Sequence, residues 1–536
     1  MKRMKLTTKL FVIFVLSSVM SCSNKIEYGP DPYAGGKEPL DVVFQEGTPS
    51  PSQAKVGSTV VFKVNGLLKY KDQIKFYINN VESDIVDITD STLTSVVSEN
   101  TSTGGVKAVV NGQVFAGPNL PIIGKLGIDL TFQSGVGSNG PLFSIAKFSN
   151  NQIFIGGMFS DYNGNGASSK ISGLARITNA GEFVRGMKFG QGVTGNVNSM
   201  NELNDGNILI SGGFQRYDTV SMIKNMTTIS SVGALLVKST PILNLTDDPN
   251  KSNIIVPAFN GGSETSILKT FVQNNKVTIV GGFKTYSSNY YVRSTYDNIL
   301  TDFFGMNGVV RMNMDGSLDS TYFVDHKSIP KRSYTGVNGS IFDAHLQSDG
   351  KLVLVGIFST FNGSNAANGI VRLNDDGTFD PSFQTGSGAN GMVFDISYVK
   401  ETKKYVLTGS FTSFNGIPAN GIVVINLDGS VDKSFQSKGF TGGTPSYAVQ
   451  LSNGLIVVTG TFKTYDSIIR EGLLVLNADG TLAQDYNNTG RLVGTVNDSL
   501  EGTNSLGQRT LTLVGGFTSF NGKSNLGNIV RLTILD

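Results

Sequence analysis

The chain has 536 residues, 65 glycines, 16% charged residues and a net charge of +2. That length exceeds one ordinary core, so several domains or one large repeat assembly is expected. A near-neutral chain lacks the concentrated basic stripe that phosphate neutralisation requires, which sets nucleic acid aside. Two histidines and a single cysteine remove Cys/His nucleophilic machinery and His or Cys metal cages by inventory.

The first 22 residues read as an address. Lys2, Arg3, Lys5 and Lys9 form a basic stretch, and Leu10 to Met20 is apolar but too short for a stable membrane span. The closing Val19-Met20-Ser21-Cys22 resembles a bacterial lipobox. That resemblance implies cleavage before Cys22, its lipidation, and attachment to the membrane through acyl chains. Ser23 stands where an aspartate would retain some lipoproteins in the inner membrane, so the outer membrane, facing the exterior, is the expected location. The acidic run that resembles a Bacteroidetes surface-export signal is thin, with Lys25, Glu27 and Asp31 scattered, and a periplasmic orientation stays open.

Residues 23–40, with Gly29-Pro30-Asp31-Pro32 and Gly35-Gly36, are turn-rich and lack apolar periodicity, as a flexible tether does. Residues 41–124 alternate short apolar runs, such as Val60-Val61-Phe62-Lys63-Val64 and Ile74-Lys75-Phe76-Tyr77-Ile78, with turns at Asn79-Asn80 and Gly104-Gly105. Such alternation predicts a small β-sandwich. The order Gly57-Ser58-Thr59-Val60, Asn79-Asn80-Val81, Asp90-Ser91-Thr92-Leu93-Thr94 and Gly105 to Gly112 resembles an IPT/TIG immunoglobulin-like domain, which implies a spacer.

From 125 to 536 one phrase recurs seven times: Gly-x-Phe followed three residues later by an aromatic. The copies are Gly157/Phe159/Tyr162, Gly212/Phe214/Tyr217, Gly281/Phe283/Tyr286, Gly356/Phe358/Phe361, Gly409/Phe411/Phe414, Gly460/Phe462/Tyr465 and Gly515/Phe517/Phe520. An apolar strand precedes each, after a polar turn such as Ser348-Asp349-Gly350-Lys351. Another strand follows, for example Gly369 to Leu373, then Asn374-Asp375-Asp376-Gly377 and a short strand to Phe383. Four-stranded units of this period predict a seven-bladed β-propeller, making the chain all-β: a sandwich followed by a closed ring. The phrases Arg311 to Phe323, Arg372 to Phe383 and Val424 to Phe435 resemble the delta-60 repeat, a propeller family. The chain stops after the third strand of its last unit, and Ile128 to Phe132 matches the missing fourth strand. That match is either a strand-exchange closure or a unit boundary. Asn374 to Gly377 is expected to be a hairpin turn, since it lacks the alternating oxygen ligands of a calcium loop.

Spacings between successive signature phenylalanines are 55, 69, 75, 53, 51 and 55 residues, so units two to four carry insertions. These fall in connections that a meander places on one face. They hold Tyr290, Tyr291, Tyr296, Phe303 and Phe304, together with Tyr322, His326, Lys331, Arg332 and Tyr334. Aromatic and basic loops on a rigid scaffold make this rim the candidate binding site, the alternative being that the aromatics pack their own loops. His345 sits in a predicted strand and reads as structural. No nucleophile-elbow phrase accompanies Asp325-His326, and no catalytic residue, metal or cofactor is expected. Paired carboxylates from different blades, as in a propeller glycosidase, stay open. Lipobox, tether, spacer and ring together resemble accessory lipoproteins of Bacteroidetes SusC/SusD-type importers. That implies a noncatalytic module capturing oligosaccharide or peptide beside a transporter, with a protein-binding adhesion platform as the alternative. Absence of Trp weakens sugar stacking, although Tyr and Phe also stack.

Overall fold

The computed structural model describes residues 38–365 and 368–536. The leader, Cys22 and the tether up to residue 37 lie outside the described residues. Among the described residues the fold is all-β, a series of small antiparallel sheets with only isolated turns of helix.

Two four-stranded sheets come first. Thr59–Asn65 lies between Val43–Phe44 and Thr92–Val96, with Ile85–Ile88 at the edge; Ile74–Ile78 and Gly104–Val110 lie between Val81–Glu82 and Gln113–Leu120. Alternation in Thr59–Asn65 sends Val60, Phe62 and Val64 inward, where Phe62 meets Phe76 of the facing sheet at 5.1 Å between ring centroids.

Seven three-stranded meanders follow. Their first strands are Leu142–Lys147, Asn196–Glu202, Ile267–Gln273, Ser340–Leu346, Val393–Val399, Pro445–Gln450 and Leu492–Thr503. Each lies against the first strand of the next unit, and the last lies against the first, completing a circuit. The ends of the chain meet: Leu126–Ile128 pairs antiparallel with Ile529–Ile534, Ile128 opposite Leu532.

The expected fourth strand is a correction. After each of the first six units it shrinks to a single bridge, such as Leu373 to Phe379 or Ile425 to Val431. After units three, four and five, and again at the closure, the chain then turns because an aspartate accepts hydrogen bonds from the residue two ahead: Asp380 from both the Ser382 N–H and Oγ, and Asp319, Asp432 and Asp129 likewise from Thr321, Ser434 and Thr131. Side-chain capture of these amides ends the ladder.

The same aspartates clamp neighbouring units. Arg372 Nε donates to Asp380 at 2.7 Å, stacks over Phe383, and reaches the Leu427 carbonyl of unit five at 2.6 Å. Arg531 and Asp129 repeat this across the closure, and Arg311 and Asp319 in unit three. Burial opposes charge on Asp380, yet hydrogen bonds from Lys351, Ser382 and Arg372 hold its carboxyl well below the ordinary carboxylate range. Unit five has Val424 in place of the arginine, and Lys404 alone pairs Asp432, at 2.5 Å.

The Gly-x-Phe signature has a physical origin. Every first strand carries a β-bulge near its start. In six units a Cβ on the signature glycine would collide with a carbonyl in or immediately before that bulged strand, for instance Gly409 with Met392 and Gly460 with Thr444. All seven phenylalanines are buried. Where the following aromatic is tyrosine, its hydroxyl reaches the carbonyl of a turn glycine: Tyr162 to Gly181, Tyr217 to Gly233, Tyr286 to Gly316 and Tyr465 to Gly480.

Candidate functional site

First strands start on the face where the long connections emerge, since the start of each pairs with the end of the second strand. Two concavities open from these elements, one at the rim and one on the axis.

The rim cleft lies between units two and three. Hairpin Thr285–Asn289/Thr301–Gly305 forms one wall, with Ser287 opposite Phe303. Glu264 anchors its base, accepting from the Lys284 and Thr285 amides at 2.7 and 3.0 Å; burial raises its pKa, but these bonds and the Thr285 hydroxyl outweigh that and leave it below the ordinary value. Lys224 Nζ donates to Thr301 Oγ1 at 3.0 Å, and burial lowers its pKa. Arg216, Lys224, Glu264, Ser287 and Phe303 line a cleft of about 460 Å³. Ser287 Oγ is buried without a partner.

The structure divides the aromatic and basic residues expected at this rim. Phe303 is 63% exposed on the cleft lip, and Phe304 and Tyr296 are exposed on the same hairpin and its loop. Tyr291 is 6% exposed and packs with Ile242 and Val256 of hairpin Val237–Pro241/Asn253–Pro257, so it ties two insertions together. Tyr322, 1% exposed, is stacked by Arg311 at 4.2 Å and presents nothing to solvent. Tyr290 is half-buried beneath Arg293, and Tyr334 packs edge-on to Phe323. His326 and Arg332 are exposed on a separate hairpin, Val324–Asp325/Arg332–Ser333, and do not line the cleft. Arg216, Lys224 and Glu264 escaped sequence reasoning because no aromatic or basic cluster marks them: Arg216 precedes the first insertion, and Lys224 and Glu264 lie inside insertions as isolated charges.

The axial cavity, about 530 Å³, is lined by all seven first strands. The residue just past each bulge forms a ring: Ser144, Ser199, Lys269, Asp343, Asp395, Tyr447 and Asp498. These side chains staple successive units. Thr270 N–H donates to Ser199 Oγ at 3.2 Å, Lys269 Nζ to Asp343 at 2.6 Å, Ile396 N–H to Asp343 at 3.2 Å, Ala448 N–H to Asp395 at 3.4 Å and Ile145 N–H to Asp498 at 2.9 Å. Tyr447 and Ser499 share a hydroxyl pair at 2.8 Å. Six seams are thus bonded; at the seventh, between units one and two, Ser144 Oγ has no partner.

Three carboxylates face one lysine here. Burial pushes Asp498 up to about 6 against the pull of the Ile145 and Ser499 amides, and burial together with neighbouring Asp343 holds Asp395 well above its usual range. His345, packed on Tyr398 and Tyr405, is pushed down to about 4 by burial and by Lys269. Asp343 and Asp395 act on each other directly, and that repulsion adds to burial in raising the Asp395 carboxyl. Among the described residues, no group of three or more His, Cys, Asp or Glu is placed to hold a metal ion.

Comparison with known proteins yields family matches to parts of the chain. A family described as "Domain of unknown function (DUF5008)" matches residues 16–118, and one described as "Domain of unknown function (DUF5122) beta-propeller" matches residues 347–383 and 402–435. No curated protein matches the chain. Among solved structures, the WD40 β-propeller domain of Doa1 aligns with 74% of this chain and 93% of its own, at 14% identity and a TM-score of 0.39. An auxiliary nutrient binding protein from Bacteroides thetaiotaomicron aligns with 92% of this chain and 97% of its own, at 10% identity and a TM-score of 0.29. A protein of the same description from Bacteroides ovatus covers the same shares at 10% identity and a TM-score of 0.28.

Proposed function

We propose that the chain is a noncatalytic outer-membrane lipoprotein, anchored through Cys22 and facing the exterior, that holds an oligosaccharide or peptide for a SusC/SusD-type importer. In this reading residues 41–124 are an immunoglobulin-like spacer and residues 125–536 a seven-bladed β-propeller of the delta-60 kind. The observation that carries it is Phe303, 63% exposed on the lip of a cleft that also presents Arg216, Lys224 and Glu264. An aromatic platform beside polar groups of both signs suits a sugar face or a peptide, each of which offers apolar surface and hydrogen-bonding groups together. The axial carboxylates already hold the amides of neighbouring strands, which gives them structural work in place of catalysis.

Binding of the full chain to a glycan array and a peptide library, repeated with Phe303→Ser, tests the ligand. Binding is expected to fall at least about tenfold in the variant, as hot-spot aromatics do; unchanged binding removes the cleft from the account. Pull-down of the native lipoprotein from outer membranes tests the partner, and recovery without a transporter overturns the importer.

A second reading is a protein-binding adhesion platform, and one observation favours it. Val292, Tyr296, Leu300, Phe303 and Phe304 are all exposed on one hairpin and its loop, a concentration of apolar surface typical of protein contacts.

A further inference from the structure

Where the N-terminal sandwich meets the ring, the chain buries a cation with no anion beside it. Arg470, on the connection between the second and third strands of unit six, is 4% exposed. One terminal nitrogen donates to the Asn100 carbonyl of the sandwich at 2.9 Å and to the Ile469 carbonyl at 2.5 Å. Its Nε has no partner. Burial alone depresses its pKa, to about 10, so it stays charged at neutral pH. A buried guanidinium cannot shed its proton to relieve the cost of desolvation, and natural interiors supply such a group with an anion.

The surroundings are built to receive one. Arg470 lines a crevice of about 840 Å³ between the two parts, together with Thr101, Gly124, Asp485 and Asn488. Thr101 Oγ1 and Asn488 Oδ1 are also buried without partners. The orientation of Asn488 is fixed, because its amide nitrogen donates to the Ile122 and Leu126 carbonyls at 2.9 and 3.0 Å, which leaves the oxygen free. A Cβ on Gly124 would collide with that oxygen, so glycine keeps the space open. Three residues that line one crevice thus carry orphaned polar atoms, one a charged donor and two able to accept. The nearby acids Glu99 and Asp485 are exposed and solvated, and neither forms an ion pair with Arg470 among the described residues.

We infer that this crevice binds a small carboxylate that also carries a hydroxyl or N–H donor, the carboxylate on Arg470 Nε and the donor on Asn488 Oδ1 or Thr101 Oγ1. A sugar acid and the C-terminal residue of a peptide both have this chemistry. Such a ligand would bridge sandwich and ring, since Thr101 belongs to one and Arg470 to the other.

The test is calorimetric titration of the full chain with D-glucuronate and with N-acetylalanine, each against its neutral methyl ester. Saturable binding of at least one acid, with its ester inert, is expected; which acid binds tells the two sources apart. Arg470→Gln should weaken binding about tenfold or more, the scale of a lost charge-assisted bond. Thr101→Val is a second variant, chosen because the hydroxyl has no protein bond to lose. It should weaken binding severalfold while leaving thermal melting in place. Phe303→Ser should change nothing here, which separates this site from the rim cleft. Absence of saturable binding by either acid, equal binding of the esters, or full affinity in both crevice variants would overturn the inference.

Discussion

At the seam between units four and five the charges close among themselves. Arg372 and Lys351 share Asp380, the guanidinium caps Phe383 and the Leu427 carbonyl, and Asp343 holds the Ile396 amide. At the seam between units two and three, Thr228 stands where the arginine would be and Leu236 where its aspartate would be, and two inserted hairpins cover the region instead. There Lys224 bonds a hydroxyl rather than a carboxylate, and Phe303 is left in solvent. The same repeat can therefore commit its polar groups to holding the ring or leave them available.

The clamp offers the largest test of that contrast. Arg372→Met should cost about 3 kcal/mol or more, because Asp380 stays buried with Lys351 as its one remaining cation. Lys224→Met should cost no more than about 0.5 kcal/mol, being a half-buried cation whose partner is a threonine. Urea denaturation of both variants makes the comparison, and equal losses would show that the clamp does not distinguish the two seams.

Acid titration sharpens the contrast on the axis. Asp498 has a folded pKa of about 6, above that of an unfolded aspartate, so between about pH 4 and 6 the folded state binds more protons and stability falls as pH rises. His345, at about 4 when folded, works the other way: the unfolded state takes up the extra proton, and stability is lost as pH falls from about 6.5 through 4. Asp498→Asn keeps an oxygen for the Ile145 amide and removes the first effect. Its stability should therefore rise more steeply with pH across that window than the parent's, by up to about 1.4 kcal/mol per pH unit. An unchanged slope would mean that Asp498 is not held protonated by its surroundings.

These two places also differ in how well the sequence announced them. The closure was readable because it rests on a local phrase: Asp380-Pro381-Ser382-Phe383 has its counterpart at Asp129 to Phe132, and the strand just before that counterpart pairs with the last strand; the arginine also recurs in the sequence, but its pairing with the aspartate is visible only in the fold. The signature glycines were readable because six of the seven record a collision with the backbone at a bulge, a constraint that tolerates no side chain. The axial ring was not noticed, since its members share no residue type. A positional signal was nonetheless present: Ser144, Ser199, Asp343 and Tyr447 each stand 13 residues before a signature glycine, at 157, 212, 356 and 460. Counting back from the glycines would have found them. At the rim, clustering of the insertions followed from spacing, but which tyrosines face water depends on contacts between hairpins. Tyr291 was taken up by Ile242 and Val256, whose place against it no local pattern specifies.

Smaller effects come from groups repeated in some units and absent in others. Tyr162→Phe deletes the hydroxyl that donates to the Gly181 carbonyl at 2.8 Å, and should cost about 1 kcal/mol by thermal or urea unfolding. Units four, five and seven already carry phenylalanine at this position, so the bond tightens individual units and closure does not depend on it.

Phe303→Ser should have the smallest effect on stability and the largest on binding. Its ring is mostly in solvent, and replacing it should leave unfolding within about 0.5 kcal/mol of the parent. Phe283, the signature phenylalanine of the same unit, is fully buried, and Phe283→Ala should cost about 3 to 5 kcal/mol. Two phenylalanines twenty residues apart thus separate holding the ring from the binding proposed for the rim. Measured side by side, a stable Phe303→Ser that no longer retains ligand would place binding in the departure from the repeat. A Phe303→Ser that unfolds like Phe283→Ala would instead make the hairpin part of the ring's own core.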